Sequence, residues 1–304
     1  MASVVVACEG SAPVLAIDIG GTKLEVGLVD SSGRILHSRR AATADVDGEA
    51  LFEELIGIVD PLLALGPVVG IGVGCGGPMT GGGLLVSPLN IGQWRDFPLA
   101  ARLAERTGAA VEVDNDAKAL ALGEGWCGAA VGERNYLAMV VSTGVGGGVV
   151  LDGRLLDGAA GNAGHVGHVV VDPDGPPCAC GNRGCLEAVA SGPAIQRQTG
   201  APPAMATPEV RSRTGDLVGQ AVATVVNLLD LRLAVVAGSV ALGFGTPFFD
   251  AAQRRLDSEC GLEFTRGARI VPAGLGADGP LLGAAAVWHH AQLMGAGADV
   301  AVGS

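Results

Sequence analysis

The sequence predicts an α/β fold, and two patterns lead to that prediction. Apolar segments of strand length alternate with segments of helical periodicity along the 304 residues, which is typical of α/β proteins. An apolar strand, a glycine-rich turn with a hydroxyl group and two further strands occur twice, beginning near residues 14 and 136. This weak internal duplication indicates two related halves, and a cysteine-rich loop lies in the second of them.

The first half opens with a strand, a turn and a strand. The apolar run 14–19 is followed by a glycine turn at 20–23, a second strand at 24–29 and a third strand from Arg34. The turn offers backbone N–H groups, a hydroxyl and an ammonium, which suit a phosphate, but an ordinary Gly-Gly hairpin has the same pattern. Asp18 ends the buried first strand, and a carboxylate at such a position needs a partner.

The remaining elements follow from periodicity and length. In the first half they are a helix at 49–65, a strand at 67–75, a helix at 99–107, a strand at 111–113 and a helix from Ala117 to about Cys127, with Asp116 near its N-cap. In the second half they are strands at 136–141, 149–151, 154–156, 233–237 and 268–271, and helices at 216–232, at 247–258 and from Pro280 to about Met294.

The cysteine-rich segment 165–187 contains four residues of the types that bind metals. His168, Cys178, Cys180 and Cys185 offer one nitrogen and three sulfur atoms in the spacing H-x9-C-x-C-x4-C. This set suits a closed tetrahedral zinc site, and the alternative is three buried thiols with a surface histidine. The other four of the seven cysteines are isolated in the sequence, which fits a reducing environment.

Composition and charge exclude some classes of partner. The net charge of −12 is diffuse and no basic cluster is present, so we expect no nucleic-acid partner. The N-terminus lacks the pattern of a signal peptide, and no apolar stretch reaches the length of about 20 residues that spans a membrane. We therefore expect a cytoplasmic protein without a membrane partner.

Four motifs recur together in one known family. They are DIGGTK at 18–23, DNDA at 114–117, STGVGGG at 142–148, and GH at 167–168 with CACGNRGCLE at 178–187. With these motifs the chain resembles the ROK family of sugar kinases and repressors, in its glucokinase-like branch of the actin, hexokinase and Hsp70 ATPase superfamily. The last motif is highly specific, whereas the glycine turns alone are weak.

The resemblance implies a fold and its division. It implies a two-lobed actin-like ATPase fold, ribonuclease H-like, with the active site in the cleft between the lobes and a zinc-binding loop at 165–187. The small lobe would comprise residues 1–116, completed by a C-terminal helix at 290–304, and the large lobe residues 117–289. The family resemblance also implies a homodimer.

The resemblance further implies ATP, Mg²⁺ and a structural zinc as cofactors. Two glycine turns would hold the phosphates, Asp18 would hold Mg²⁺ through water, and two residues after a late strand would lie along the adenosine. The nucleotide-binding residues implied are Asp18, Gly20, Gly21, Thr22, Lys23, Thr143, Gly144, Gly238 and Ser239. The zinc ligands fill all four positions, so the metal would position the loop and not activate a water.

The sugar site follows from the same motifs. Asp116 would be the general base that accepts the proton of the sugar 6-hydroxyl as the γ-phosphoryl group transfers. A plain helix N-cap is the alternative reading of Asp116, and Asp114 is its nearest competitor. The sugar-binding residues implied are Gly77, Asn90, Asn115, Asp116, His165, His168 and Glu187.

One position departs from the family pattern. The usual Glu-x-Gly-His is here His165-Val166-Gly167-His168. A carboxylate accepts hydrogen bonds from two neighbouring hydroxyls, whereas neutral imidazole offers one acceptor and one donor. We therefore predict an ATP-dependent hexose 6-kinase that prefers a changed substituent, such as the amino sugar kanosamine or another modified sugar.

Several alternatives remain at this point. Plain glucose, an N-acylhexosamine or a cyclitol could be the acceptor, and polyphosphate as donor would call for a more basic phosphate site. Repressors of the family carry a helix-turn-helix before the kinase body. Only 13 residues precede the first predicted strand, which is too short for such a module, so a repressor is not expected. A non-catalytic sugar-sensing regulator is the less favoured alternative.

Overall fold

A computed structural model describes the backbone of residues 12–301 and the side chains as far as Met294. Five strands form the first sheet in the order β3-β2-β1-β4-β5. The strands β1, β2 and β3 form an antiparallel meander, and β4 and β5 run parallel to β1. These strands are β1 (Val14–Ile19), β2 (Lys23–Val29), β3 (Ile35–Ala42), β4 (Gly70–Cys75) and β5 (Val111–Asn115).

The second sheet repeats this topology. Its order is β10-β9-β6-β7-β8, again with an antiparallel meander and two strands parallel to the first of the set. The predicted duplication is therefore confirmed as two sheets of the same design. The strands are β6 (Tyr136–Val141), β7 (Val145–Leu151), β8 (Arg154–Leu155), β9 (Leu233–Ala237) and β10 (Arg269–Pro272).

One glycine run predicted as a turn is mostly strand. β7 begins at Val145 and includes the glycines up to Gly148, which pair with β6. The reason lies in packing, because a Cβ on Gly147 would lie 2.9 Å from Val166 Cγ1 and 3.2 Å from the Gly164 carbonyl. Strand glycines often mark such a close approach of another segment.

Nine helices longer than one turn connect the strands in the described part of the chain. They are α1 (Gly48–Leu63), α2 (Leu99–Thr107), α3 (Asp116–Cys127), α4 (Leu186–Ala190), α5 (Gly192–Thr199), α6 (Pro208–Leu229), α7 (Ser239–Phe244), α8 (Thr246–Glu259) and α9 (Gly279–Ala301). The short helices α4, α5 and α7 escaped prediction because they are too brief to show periodicity. α6 begins at Pro208, directly after the N-cap residue Thr207, and not at residue 216 as predicted.

The chain divides into two compact units, each with its own sheet. The first contains the described residues up to Cys127, the segment Asp157–Asn162 and the described residues from Ala277 onwards; the second contains Gly128–Leu156 and Ala163–Gly276. The predicted boundaries at 116/117 and 289/290 therefore differ from the observed division. The predicted helix 290–304 extends beyond the described residues at its end.

Helix packing explains the different boundary. α9 packs on the first sheet along its length: a Cβ on Gly72 would collide with the Ala284 carbonyl, and one on Gly70 with the Trp288 ring. Gly283 brings α9 against α3, since a Cβ there would lie 2.8 Å from the Ala119 carbonyl oxygen. Both helices therefore belong to the first unit. None of the described helices is both long enough and apolar enough to cross a membrane.

Candidate functional site

The first group of predicted residues lies at one edge of the first sheet. Asp18 on β1, Gly74 on β4 and Asp114 on β5 stand side by side in the parallel register, and Asp116 begins α3 immediately after β5. A Cβ on Gly74 would lie 3.9 Å from Asp18 Oδ1 and 3.8 Å from Asp116 Cα. The carboxyl edge of this sheet, where ligands bind in α/β proteins, therefore carries two neighbouring carboxylates.

Asp18 is held in a position that favours its neutral form. Burial, followed by the negative charge of Asp116, raises the pKa of Asp18 to about 7, although Lys23 opposes the shift. A carboxylate of this kind gains most from a nearby cation. Oxygen donors beside a phosphate-type turn are the ligands that a hydrated Mg²⁺ takes, so the residues fit that ion.

Replacing Asp18 by asparagine is expected to stabilise the ligand-free protein. Because the folded-state pKa is raised from 3.8 to about 7, ionised Asp18 costs stability as the pH rises through this window, and the full cost applies above pH 7. We expect Asp18→Asn to raise the free energy of unfolding by about 2–4 kcal/mol at pH 8 and by little at pH 4, measured by urea denaturation.

Asp30 provides the matched control for this measurement. Burial works against ionisation at Asp30, but hydrogen bonds from Ser32 and Arg34 outweigh it and lower the pKa to about 2. Asp30→Asn should therefore reduce stability at pH 8, the opposite sign. Equal stability of wild type and Asp18→Asn at pH 8 would show that Asp18 is not strained by ionisation.

The glycine turn of the first unit is braced from two sides. The Gly20 N–H donates to the Lys23 carbonyl at 3.0 Å, and the Thr43 hydroxyl donates to the Gly20 carbonyl at 2.7 Å. Gly21 and Thr22 are exposed. A Cβ on Gly21 would lie 2.5 Å from Asn90 Cβ, so the turn contacts Asn90, one of the predicted sugar-binding residues. Only glycine permits this approach.

Lys23 has a partner that the sequence did not reveal. Its ammonium lies 2.6 Å from Glu25 Oε2, and Arg40 lies 2.6 Å from the other carboxylate oxygen. Glu25 is buried with 2% exposure, so it is a fixed anchor between two cations. Lys23 is therefore held along β2, next to the turn, and its contact with a phosphate stays a prediction. The opposite charges of residues 23 and 25, two apart on one strand, were the sequence signal that could have indicated this ion pair.

The two competing aspartates have different surroundings. Asp114 lies 3.0 Å from the ammonium of Lys118, which is itself buried. Asp116 is exposed, and one of its carboxylate oxygens accepts the Ala117 N–H at 2.8 Å. The Asn115 side chain accepts the same N–H at 3.0 Å and lies 3.3 Å from the position of a Cβ on Gly77. Asp114 is thus held in an ion pair with Lys118, whereas the side chain of Asp116 is accessible to solvent.

The second unit contains the predicted metal ligands in one cluster. The ligand atoms of His168, Cys178, Cys180 and Cys185 all lie within 4.8 Å of one another. His168 Nδ1 is 3.8 Å from Cys178 Sγ, and Cys180 Sγ is 3.7 Å from Cys185 Sγ. A tetrahedron with Zn–S bonds of about 2.3 Å has S···S edges of about 3.8 Å, so the cluster fits zinc. Nδ1 faces the thiols, which leaves Nε2 for another partner.

Glu187 joins the cysteine loop to the second glycine turn. It lies in the first turn of α4, two residues after Cys185, and its Oε2 accepts the Val145 N–H at 2.9 Å. A Cβ on Gly144 would lie 3.1 Å from the same oxygen. The turn is closed further by a hydrogen bond from the Ser142 N–H to the Gly144 carbonyl at 2.9 Å. Thr143, between them, is exposed.

The ends of β6 and β9 bring two hydroxyls together. The Ser142 and Ser239 hydroxyls are 2.9 Å apart. Gly238 has a φ of +99°, and a Cβ there would collide with the backbone of Val141. A glycine is therefore required at this strand end, and Ser239 begins α7 directly after it.

His165 lies beside the metal cluster. It is exposed, and its ring stacks against His168 with centroids 6.0 Å apart and an interplanar angle of 20°. Both residues belong to a single-turn helix region, which packs on β7 through Gly164 and Gly167. A non-glycine residue at either position would collide with the β7 backbone, so the segment with the two histidines packs directly on that strand.

The predicted residues thus form two groups, one in each unit. The group in the first unit comprises Asp18, Gly20, Gly21, Thr22, Lys23, Gly77, Asn90, Asn115 and Asp116. The group in the second unit comprises Thr143, Gly144, His165, His168, Cys178, Cys180, Cys185, Glu187, Gly238 and Ser239.

Comparison with known proteins identifies close relatives. Residues 14–291 match the ROK family. A glucokinase of Thermotoga maritima is 43% identical over 189 residues, which are 60% of this chain and 59% of that protein. An N-acetylmannosamine kinase of Citrobacter koseri is 46% identical over 182 residues, 60% of this chain and 62% of that protein. These alignments thus span about three fifths of each relative.

A solved structure extends the similarity to nearly the whole chain. The crystal structure of a ROK family glucokinase from Streptomyces griseus, in complex with glucose and AMPPNP, has a TM-score of 0.78 and 29% identity. The match covers 90% of this chain and 98% of that one. The α/β fold with two sheets of like topology is therefore the actin-like fold of ROK kinases.

Proposed function

This chain belongs to the ROK family, and from that premise we propose that it is an ATP-dependent kinase that transfers the γ-phosphoryl group to a hydroxyl of a hexose. The observation that carries the proposal is the pair at the sheet edge, exposed Asp116 beside half-buried Asp18. Phosphoryl transfer to an alcohol needs both a base beside the hydroxyl and a carboxylate for Mg²⁺. The relatives named glucokinase and N-acetylmannosamine kinase support the same reaction.

Each predicted site residue would have a separate role in the transfer. Asp116 would accept the proton of the attacking 6-hydroxyl, and Asn115 and Asn90 would hold neighbouring sugar hydroxyls. The backbone N–H groups of the turn at 20–23 and of Thr143 and Gly144 would bind phosphate oxygens. Mg²⁺, when bound, neutralises phosphate charge, and Asp18 would hold it through water. Gly238 and Ser239 would line the adenosine.

The metal loop would hold the sugar without taking part in the chemistry. With four protein ligands, a zinc ion has no open position, so its role is to fix the loop. His168 would bind zinc through Nδ1 and present Nε2 to a sugar hydroxyl. Glu187 would share its carboxylate between the Val145 N–H and the sugar. Each of these groups is held before substrate arrives, which reduces the cost of ordering them.

A coupled assay of ADP release tests the proposal. We expect turnover with ATP and at least one member of a panel of glucose, mannose, N-acetylmannosamine, amino sugars and cyclitols, and the product should carry phosphate at the primary hydroxyl where one exists. Sugar binding in calorimetry without ADP release from any member would contradict the kinase and favour a sugar-sensing protein.

We further propose that the sugar carries a changed substituent, as in kanosamine. His165 is exposed beside His168, where a carboxylate would accept from two hydroxyls and imidazole cannot. Because an imidazole has a single acceptor, a sugar in which one of the two hydroxyls is replaced by another substituent would match this position better than a sugar that donates from both. The proposal concerns selectivity alone, because His165 contributes nothing to the transfer step.

Replacing His165 by glutamate is expected to move selectivity towards glucose. A site that hydrogen-bonds one substituent discriminates strongly against a mismatched one, so we expect kcat/KM for glucose relative to kanosamine to rise by about 10–100-fold. His165→Gln, which keeps a donor and an acceptor, is the matched control and should shift the ratio less. An unchanged ratio in His165→Glu would remove position 165 from substrate selection.

A further inference from the structure

A buried lysine stands two residues after the proposed general base. Lys118, on the first turn of α3, is 2% exposed. Its ammonium lies 3.0 Å from Asp114 Oδ1, 2.7 Å from Asp157 Oδ1 and 3.2 Å from the Gly161 carbonyl. Although burial acts against it, the attraction of these two carboxylates raises the pKa of Lys118, so the group is a charged ammonium with three acceptors.

The use of lysine at this position is itself informative. The chain has 19 lysines and arginines, of which only Lys23 and Lys118 are lysines. In a sequence that otherwise supplies positive charge through arginine, a buried lysine indicates that a compact ammonium is required. Three acceptors converge on one nitrogen at Lys118, and a planar guanidinium with its fork of donors does not fit such an arrangement.

The partners of Lys118 belong to two segments, and both segments contact residues 77–79. Asp114 precedes Asn115 and Asp116 directly in the chain. Asp157 begins the segment Asp157–Asn162, which lies in the first unit although the residues on both sides of it belong to the second. Lys118 therefore links residues 114–116, which include the proposed general base, to this segment.

The segment Asp157–Asn162 is fixed again at its other end. The Met79 N–H donates to Asn162 Oδ1 at 3.5 Å, and Asn162 Nδ2 donates to the Met79 carbonyl at 3.2 Å. A Cβ on Gly161 would lie 3.4 Å from Gly81 Cα. Met79 follows Gly77, a predicted sugar-binding residue, by two residues, so the segment contacts the loop that contains Gly77. Three residues further along the chain is His165.

We propose that Lys118 is a positioning residue of the sugar site, which holds the Asp114–Asp116 corner and the segment Asp157–Asn162 in one arrangement. The inference rests on the proposed function, because it assumes that Asp116 acts on the bound sugar. Lys118 itself touches no reacting atom. Its removal displaces the corner and the segment together, and small displacements of this kind cost about 10²-fold in rate.

Kinetics of four variants test the assignment. Lys118→Met is expected to lower kcat/KM for the sugar by about 30–100-fold while the KM for ATP changes by less than about twofold. Lys118→Arg keeps the charge and should lose less than Lys118→Met. Asp157→Asn removes only the exposed partner, whose side chain is 69% exposed, so the fold is retained and a loss of about 3–10-fold is expected.

The matched control is an exposed ion pair in the same unit. Asp60→Asn breaks a contact of 2.7 Å with Arg106 on the surface, and it should leave both KM values and kcat unchanged. If Lys118→Met and Asp157→Asn lose stability but keep the wild-type KM for the sugar and the wild-type kcat, Lys118 is a structural residue only and the inference is overturned.

The presence of only two lysines permits a direct readout that does not require turnover. Protein labelled with [13C]lysine gives side-chain NMR signals from Lys23 and Lys118, assigned with Lys118→Arg. The sugar with the highest kcat/KM, or glucose if none is turned over, should shift the Lys118 signal, and AMPPNP should shift that of Lys23 more. Absence of ADP release from wild type would defeat the proposed function, whereas a Lys118 signal unmoved by saturating sugar would defeat this inference.

Discussion

Asp116→Asn is expected to lower kcat by about 10³-fold, within the range measured for loss of a general base. Asparagine has the same shape, and its side-chain oxygen can still accept the Ala117 N–H that Asp116 now accepts at 2.8 Å. The variant therefore keeps the start of α3 and loses the group that takes the proton. Calorimetry should show sugar affinity within a few-fold of wild type, and the ADP-release assay should show the loss in kcat.

Asp114→Asn is the comparison that identifies the base. Asp114 is two residues away on the same edge, but its carboxylate is engaged by Lys118 at 3.0 Å. Its replacement weakens a structural pair, so we expect a loss of about tenfold and not of a thousandfold. A greater loss in Asp114→Asn than in Asp116→Asn would transfer the role of base to Asp114.

Loss of the predicted zinc is expected to lower the rate of sugar phosphorylation strongly. A zinc ion held by His168 and three thiolates would contribute folding free energy of about 10 kcal/mol or more to the segment around it. The loop carries Glu187, whose hydrogen bond to the Val145 N–H closes the second glycine turn. We therefore expect Cys178→Ser to lose zinc and at least about 100-fold in kcat/KM, with a lower melting temperature.

Elemental analysis and a matched cysteine complete this test. Purified wild type should contain about one zinc per chain, as in closed four-ligand sites, and Cys178→Ser should contain much less. Cys260 is buried in the second unit outside the cluster, and Cys260→Ala should keep its zinc. Wild-type protein free of zinc, together with full activity of Cys178→Ser, would show that the four residues form an ordinary thiol cluster.

The residue types of the site could be predicted because their signals are local. His168 and the three cysteines lie within 18 residues of sequence, and their types and spacing predict a tetrahedral metal site. Asp18 and Asp116 stand where apolar strands end, and parallel strands bring such ends to one edge. The repeat of strand, glycine turn and strand likewise predicted two sheets of the same topology, which the structure confirms.

The helical boundaries and the division into units could not be predicted in the same way. α3 and α9 belong to the first unit because Gly283 lets α9 approach Ala119, and this contact joins residues far apart in the sequence. Periodicity describes which face of a helix is apolar, but it does not name the surface that this face covers.

By itself, the sequence determined the chemistry that this protein has available: two carboxylates at strand ends, two glycine turns and four candidate metal ligands. Only the tertiary structure decided which of these groups are engaged, since Lys118 reaches Asp157 across 39 residues and Glu187 reaches Val145 across 42. The physical reason is that residue type and spacing are local properties, whereas the partner that neutralises or orients a charged group is chosen by packing between distant segments.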